Sequence, residues 1–327
     1  MKYPDPALWM RMTQEQVFEA FCNITGSFHD GKGNRQFVYI PGTRKDRVLL
    51  VAHADTVWDD DMAENKIGFT HGIYFSENRG NGMSRRGIGA DDRAGCCILW
   101  ELQKLGHSLL VVSGEERGGI TSSWMMRSPF WEEEASKHNF AVQFDRRGFN
   151  DIVFYSVGTR KFKDYVASKT GYIEQRGSFT DICNLCEDIC GVNMSVGYYS
   201  EHTPNERLCL NQWINTLITA KAWLSQTDLP RFELVQEKLH TSQDAIEELE
   251  RYYSGDWMHE AIGLRQAVEM EKKKAATISS TSILRETRFQ ELIRKVQIKC
   301  GKCNYMNNQE RLVVKGFLCE KCKVSLI

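Results

Sequence analysis

The sequence predicts an α/β protein with a mixed, largely parallel central sheet and helices on both faces. Three short apolar runs, RVLLVA at 47–52, SLLVVS at 108–113 and FAVQF at 140–144, have the length and composition of buried strands. Amphipathic segments with a helical period lie between and after these runs. Such an alternation is typical of a sheet covered by helices. The composition agrees, because 42% apolar and 26% charged residues are ordinary values for a globular chain.

Each predicted element has a local signal. The first helix, Thr13–Thr25, begins with Thr13 and Gln16 in the spacing of a capping box. Strand Arg47–Ala52 is apolar almost throughout, which is expected of a central strand. Gly106 ends a helix predicted over Arg93–Leu105. The other predicted strands are Gln36–Ile40, Ser108–Ser113, Phe140–Phe144 and Val192–Val196, and the other predicted helices in this part are Asp181–Cys190 and Asn205–Leu224.

The chain becomes more polar and more highly charged after the last of these helices, so we expect three parts. Residues 1–226 form the α/β domain, residues 227–295 a helical extension or linker, and residues 296–327 a small separate unit. Polar, charge-rich helices are predicted for Phe232–Tyr253 and Met258–Ala275, and KKKAATISSTS at 272–282 is typical of a flexible connector.

Charge and cysteine content exclude several classes of protein. The formal net charge of −1 gives no whole-chain reason to expect nucleic acid or an acidic membrane as a partner. No segment approaches the roughly 20 apolar residues of a transmembrane helix, and the N-terminal residues lack the apolar run of a secretory signal. Eleven cysteines cannot all pair internally, and their spacing is typical of metal sites or core positions. We therefore expect a cytoplasmic protein with no membrane partner.

Polar side chains follow each apolar strand at the point where it ends. His53 and Asp55 follow the first run, and Glu115 and Glu116 follow the second. Asp145 follows the third, and the segment GYYSEH, which ends at His202, follows the strand predicted at 192–196. In open α/β sheets, ligands bind beyond the carboxyl ends of the strands. These side chains are therefore predicted to meet at one edge of the sheet.

The segment GIGADDRAG at 87–95 places Asp91 and Asp92 side by side in a glycine-rich turn. Two adjacent carboxylates repel each other unless a cation lies near them. An aspartate that bridges two cations explains the pair, because its neighbour can then turn towards backbone N–H groups. Histidines and carboxylates gathered at one edge suit Zn²⁺ or a similar divalent ion.

Five motifs in order, HADTV, GIGADDRAG, SGEERGG, QFDRRG and GYYSEHTPNE, resemble those of the co-catalytic zinc exopeptidases. That group includes peptidase T, the carboxypeptidase G type and bacterial leucyl aminopeptidase. The resemblance covers residues 51–206 and implies the zinc-exopeptidase fold for residues 1–226. Arg93 is a departure, because these families often have lysine there.

The resemblance also implies roles for individual residues around two Zn²⁺ or other divalent ions. His53 and Asp145 would hold one ion, Glu116 and His202 the other, and Asp91 would bridge them. Two such ions polarise a scissile carbonyl and lower the pKa of the water between them. Glu115 would be the general base and Asp55 would orient His53. For the developing oxyanion, Tyr198, Tyr199 and a backbone N–H remain alternatives.

The spacing of the last two ligand positions bears on the substrate. Asp145 and His202 are 57 positions apart, which leaves no room for the lid domain of about 100 residues that many relatives of the carboxypeptidase type carry between them. We therefore expect an aminopeptidase or small-peptide exopeptidase that acts on a small peptide or amide. A non-peptide amidase or deacylase is one alternative. The other is a repurposed scaffold protein that recruits partners through its C-terminal unit.

The C-terminal unit contains two CxxC pairs. Cys300 and Cys303 are followed, after fifteen residues, by Cys319 and Cys322. Four thiolates at this spacing predict a zinc ribbon with one structural Zn²⁺, which supplies most of the folding energy of so short a unit. Residues 296–327 contain six basic and two acidic residues, so nucleic acid is an alternative partner. A protein partner or self-association is the preferred prediction.

A further cysteine cluster, Cys183, Cys186 and Cys190, has the spacing of one face of the predicted helix Asp181–Cys190. We interpret these residues, and Cys96 and Cys97, as core positions, since buried cysteine behaves as a small apolar side chain.

Overall fold

In the computed structural model, residues 4–58, 66–77 and 86–234 are described in full, together with the backbone of two strands at 297–299 and 306–308. The chain divides into two compact units, Met1–Val235 and Gln236–Ile327. The predicted boundaries of the three parts stay a prediction. None of the helices in the described ranges has the length and apolarity needed to cross a bilayer.

Twelve strands lie in the described part of the first unit. They are β1 (Phe28–Lys32), β2 (Arg35–Ile40), β3 (Leu49–His53), β4 (Ile67–Thr70), β5 (Ile73–Ser76), β6 (Ser108–Val112), β7 (Ala141–Arg146), β8 (Asp151–Val153), β9 (Ile173–Glu174), β10 (Gly191–Ser195), β11 (Tyr198–Tyr199) and β12 (Arg207–Cys209). Eight of them form one sheet in the order β1-β2-β6-β3-β7-β10-β8-β9, and β11-β12-β5-β4 form a second sheet.

The large sheet is mixed, with a parallel centre. β3 pairs in parallel with β6 on one side and β7 on the other, and β7 pairs in parallel with β10. The antiparallel pairs β1–β2, β2–β6 and β10–β8 flank this centre. The predicted fold class and the central place of β3 are therefore confirmed.

Helices cover both faces of this sheet. They are α1 (Pro6–Met10), α2 (Gln14–Cys22), α3 (Ala90–Leu102), α4 (Ile120–Met125), α5 (Pro129–Ala135), α6 (Arg160–Thr170), α7 (Ile182–Leu185) and α8 (Leu210–Leu224). The predicted capping box is present at α2, where the Thr13 side chain accepts from Gln16 N and the Gln16 side chain accepts from Thr13 N. A short 3₁₀ turn continues α3 to Leu105, and Gly106 then adopts a left-handed conformation that ends it.

Alternate residues of β3 serve two cores. Leu50 and Ala52 lie in the core beneath α1, α2, α3, α6 and α8, whereas Leu49 and Val51 lie in the core beneath α4, α5 and α7. This division follows from the two-residue period of a strand, which sends successive side chains to opposite faces. Because both faces are covered, every residue of β3 is buried and the strand is apolar up to its last residue, His53.

Two predicted helices have the wrong bounds. α7 ends at Leu185 rather than at residue 190, so Cys183, Cys186 and Cys190 do not share one helix face. Cys186 and Cys190 lie in different cores, and their prediction as core residues is confirmed. The predicted helix Asn205–Leu224 begins only at Leu210, because residues 207–209 pair with β5 as strand β12. No local sequence pattern predicts a pairing with a strand more than 130 positions earlier in the chain.

The remaining predictions concern the C-terminal part of the chain. Residues 232–234 are not helical, so the predicted helix Phe232–Tyr253 is wrong at its start, and its remainder lies outside the described residues. The predicted helix Met258–Ala275, the connector at 272–282 and the four ribbon cysteines also lie outside them. In the second unit, β13 (Gln297–Lys299) and β14 (Met306–Asn308) pair in an antiparallel manner and flank the first CxxC pair in the sequence.

Candidate active site

His53 is placed at the carboxyl edge of the sheet by β3. Its side chain is 1% exposed. Its Nδ1 atom lies 3.0 Å from the backbone oxygen of Asp55, which can only accept a hydrogen bond, so Nδ1 carries the proton. Nε2 faces the Oδ1 atoms of Asp91 at 3.2 Å and Asp145 at 3.4 Å. Because Nδ1 is occupied by this hydrogen bond, Nε2 is the nitrogen that could bind a metal ion.

The two adjacent aspartates of the GIGADDRAG turn point in different directions. Asp91 lies between two imidazoles, with Oδ1 3.2 Å from Nε2 of His53 and Oδ2 3.1 Å from Nε2 of His202. Asp92 instead accepts hydrogen bonds from His53 N at 3.2 Å and Gly95 N at 3.1 Å. Burial raises the pKa of Asp92 well above its usual range. The peptide bond that joins the two aspartates is cis.

The Glu115–Glu116 pair lies in the loop after β6. Glu116 Oε1 is 2.9 Å from Nε2 of His202, whereas Glu115 Oε2 is 4.0 Å from Nε2 of His53. The backbone N–H groups of both glutamates donate to the two carboxylate oxygens of Asp55, at 3.3 and 3.2 Å. The Asp55 carboxylate is also 3.4 Å from Nδ1 of His53. Asp55 thus contacts the histidine predicted for it and, in addition, holds the glutamate loop.

Asp145 is anchored by three neighbouring side chains. Its Oδ2 accepts from the Thr180 hydroxyl at 2.6 Å and from Gln143 Nε2 at 3.2 Å, while Tyr198 OH donates to Oδ1 at 3.2 Å. These contacts leave Oδ1 directed towards His53. Tyr198 is buried and already engaged by Asp145, and Tyr199 OH donates to Gln212, so neither hydroxyl is free to serve as the predicted oxyanion donor.

His202 differs from the other four predicted ligands because its side chain is 49% exposed, whereas each of the others is at most 10% exposed. It lies in the loop between β11 and β12 and has a φ of 59°. The Asp91 and Glu116 carboxylates raise its pKa to about 11. The site is therefore open to solvent on the side of His202.

The five predicted ligands form two groups that share one member. His53, Asp91 and Asp145 make the first group, and Asp91, Glu116 and His202 make the second. In each group the possible ligand atoms lie within 4.8 Å of one another. Three buried atoms at the centre, His53 Nε2, Asp91 Oδ1 and Glu116 Oε1, make no well-aligned hydrogen bond among the described residues, although ion-pair distances of 2.9–3.4 Å join them to neighbouring ligands. Such atoms are costly to bury unless a ligand satisfies them, so this donor set fits a pair of divalent cations.

Sequence reasoning missed several residues that support this site. Gln143, Thr180 and Asp181 surround the outer side of Asp145, and Gln143 Nε2 lies 3.4 Å from Asp181 Oδ2. Gln143 carried a usable signal, because it is a polar residue inside an apolar strand. Glu206 accepts from Gly89 N and Asp91 N at 2.9 and 3.0 Å, and burial raises its pKa to about 7. It belongs to the motif GYYSEHTPNE, but no role was predicted for it.

No protein-family model and no curated protein matches the sequence. Solved structures do match it. The structure of aminopeptidase PepT from Bacillus cereus superposes with a TM-score of 0.51 at 14% identity, covering 67% of this chain and 96% of that one. This chain has an aminopeptidase fold. The predicted resemblance is therefore confirmed for the fold.

Two other solved structures have lower scores. A tripeptidase from Staphylococcus aureus has a TM-score of 0.47 at 12% identity, covering 67% of this chain and 96% of that one. The aminopeptidase LapA from Legionella pneumophila has a TM-score of 0.42 at 17% identity, covering 67% of this chain and 63% of that one. Between Asp145 and His202, where every residue is described, the aminopeptidase fold continues through β8, α6, β9, α7, β10 and β11 without a lid domain.

Proposed function

We propose that this protein is a metal-dependent hydrolase of peptide bonds, specifically an aminopeptidase or small-peptide exopeptidase. The observation that carries the proposal is the pair of ligand groups that share Asp91 at the carboxyl edge of the sheet. In the proposed site, His53 and Asp145 would hold one divalent cation, Glu116 and His202 would hold the other, and Asp91 would contribute to both. Bound zinc or another divalent pair supplies polarisation of the substrate carbonyl and activation of a water nucleophile.

In this proposal Glu115 is the general base. It belongs to neither ligand group, its side chain is 15% exposed, and its Oε2 lies 4.0 Å from the first group at His53. Burial, followed by the negative charge of Asp145, raises its pKa to about 9. With cations bound at the adjacent carboxylates, the local charge would become positive and Glu115 would be ionised. Its carboxylate then accepts a proton from the attacking water and donates one to the leaving amine.

The open side of the site and the elements between Asp145 and His202 support the choice of a small-peptide substrate. The half-exposed His202 marks the open side, where a peptide can approach without displacing buried ligands. No lid domain lies between Asp145 and His202, so this part of the chain does not contain the segment that relatives of the carboxypeptidase type use to bind a substrate carboxylate. The fold shared with an aminopeptidase supports the same choice.

Replacing Glu115 tests the proposal. We expect Glu115→Gln to lower kcat for aminoacyl-anilides by about 10²- to 10⁴-fold, with the metal content unchanged. Glu133→Gln is the matched control, because Glu133 is 76% exposed and pairs with Lys137 on the surface. Turnover by Glu115→Gln equal to that of the control contradicts the proposal and favours the scaffold alternative. If the wild-type protein cleaves N-acyl amino acids but not aminoacyl-anilides, the amidase or deacylase alternative is favoured.

We also propose that residues 296–327 bind one structural Zn²⁺ through Cys300, Cys303, Cys319 and Cys322, and that this unit contacts a protein partner or a second copy of the chain. The spacing of the two cysteine pairs supports the zinc site. Metal analysis should find about three ions per chain. Replacing both cysteines of one pair with serine should remove one ion and leave peptidase activity. If that variant still binds three ions per chain, the proposed zinc ribbon is wrong.

A further inference from the structure

Glu206 is a fully buried carboxylate that lies four positions after His202. Its two oxygens accept hydrogen bonds from the turn that contains the shared ligand. Oε1 accepts from Asp91 N at 3.0 Å, and Oε2 accepts from Gly89 N at 2.9 Å. The indole N–H of Trp58 donates to the same carboxylate. Three donors thus converge on one side chain, which a negative charge satisfies better than a neutral group does.

The turn is shaped to accept this carboxylate. A Cβ atom at Gly87 would collide with Oε2 of Glu206 and lie 2.8 Å from Nε1 of Trp58. The φ of Gly87 lies outside the left-handed region, so its backbone conformation does not require glycine. The close contact with Glu206 does. Glu206 and the segment 87–91 therefore fit together closely.

We propose that Glu206 is a positioning residue that joins the His202 loop to the Asp91 turn. The inference rests on the proposed function, because it concerns two of the predicted ligands. Asp91 and His202 come from separate parts of the chain, and their Oδ2 and Nε2 atoms lie 3.1 Å apart. Glu206 follows His202 in the same loop and binds the backbone of Asp91, so it holds both ligands in one arrangement before an ion binds. Metal affinity depends on such preorganisation.

Glu206→Gln tests this role in the full chain. Glutamine offers one acceptor oxygen and turns an N–H₂ group towards the remaining donors, so the turn should lose its fixed position. Glu201→Gln is the matched control: Glu201 lies in the same loop, but its side chain pairs with Arg147. Mn²⁺ is the probe, because it prefers carboxylate and imidazole ligands to the thiolates of the C-terminal unit. Free Mn²⁺ is measured by electron paramagnetic resonance during a titration.

We expect Glu206→Gln to bind Mn²⁺ about 10- to 100-fold more weakly than the wild-type protein, and Glu201→Gln to stay within about twofold of it. Unchanged affinity in Glu206→Gln overturns the inference even if its melting temperature falls, because a purely structural role lowers stability alone. If Glu206→Gln does not fold, Gly87→Ala decides between the same two results, since the added Cβ displaces the carboxylate and leaves its charge. A wild-type protein that binds no Mn²⁺ overturns the proposed function as well.

Discussion

Replacing Asp55 with asparagine removes one negative charge and one acceptor oxygen from beneath the Glu115–Glu116 loop. The two loop N–H groups donate to this carboxylate at 3.3 and 3.2 Å, and Nδ1 of His53, which also contacts the Asp55 backbone oxygen, lies 3.4 Å from it. The change conserves the size of the side chain. Its effect should therefore come from the lost charge and acceptor rather than from a cavity.

The expected magnitude follows from these distances. Hydrogen bonds to charged groups contribute about 1.5–3 kcal/mol and neutral ones about 0.5–1.5 kcal/mol. All three contacts of Asp55 are longer than the 2.7–2.9 Å that is typical of strong charge-assisted bonds. A loss of about 0.5–1 kcal/mol for each contact then gives about 1.5–3 kcal/mol in total, which corresponds to about a 10- to 150-fold decrease in kcat/KM.

The assay is hydrolysis of aminoacyl-anilides, with metal content measured on the same samples. The assay is run at saturating metal, because Asp55 contacts His53 and the backbone of Glu116, so its replacement should also weaken metal binding. The matched control is Asp164→Asn, because Asp164 is 65% exposed and, among the described residues, forms an ion pair only with Arg160. Activity of Asp55→Asn within about twofold of that control would show that the loop is held without Asp55 and would refute the reasoning.

Two further predictions concern stability and metal affinity. Thr180→Val removes the hydroxyl that donates to Asp145 Oδ2 at 2.6 Å, so Mn²⁺ affinity should fall about 10-fold or more. Thr180→Ser keeps a hydroxyl and should bind Mn²⁺ as the wild-type protein does. Equal Mn²⁺ affinity in all three proteins contradicts the role of Thr180 in holding Asp145. Burial lowers the pKa of His138 to about 4 from an ordinary value of 6.5, so the unfolded chain binds a proton that the folded chain does not. Stability should therefore fall as the pH falls from about 6.5 to about 4, with a loss of about 2 kcal/mol between about pH 7.5 and about pH 5. Urea unfolding should show that His138→Gln lacks this part of the loss, and an identical pH dependence in both proteins contradicts the assignment.

Local patterns were sufficient for the centre of the fold. The strands that became β2, β3, β6, β7 and β10 were predicted within about two residues of their bounds. Buried parallel strands are continuous apolar runs, so local composition alone predicts where they lie. The capping box of α2 and the glycine after α3 are equally local, since each depends on residues within one helical turn.

Long-range pairing explains the elements that were missed or misplaced. The second sheet joins β4 and β5 to β11 and β12, and two of these strands have only two or three residues. Such short strands exist because a distant partner supplies their hydrogen bonds, which no local window contains. The same pairing explains why residues 207–209 are not part of the predicted helix.

For the site, residue type and order along the chain determined which side chains could bind cations, because carboxylates and imidazoles at the ends of parallel strands must lie at one edge. Only the tertiary structure decided their orientation. It turned Asp91 towards two imidazoles and Asp92 towards backbone N–H groups, although adjacent aspartates are equivalent in sequence. It also brought Glu206 beneath the Asp91 turn, 115 positions away. The physical reason is that orientation depends on which distant donors a carboxylate meets, and chain folding alone determines that.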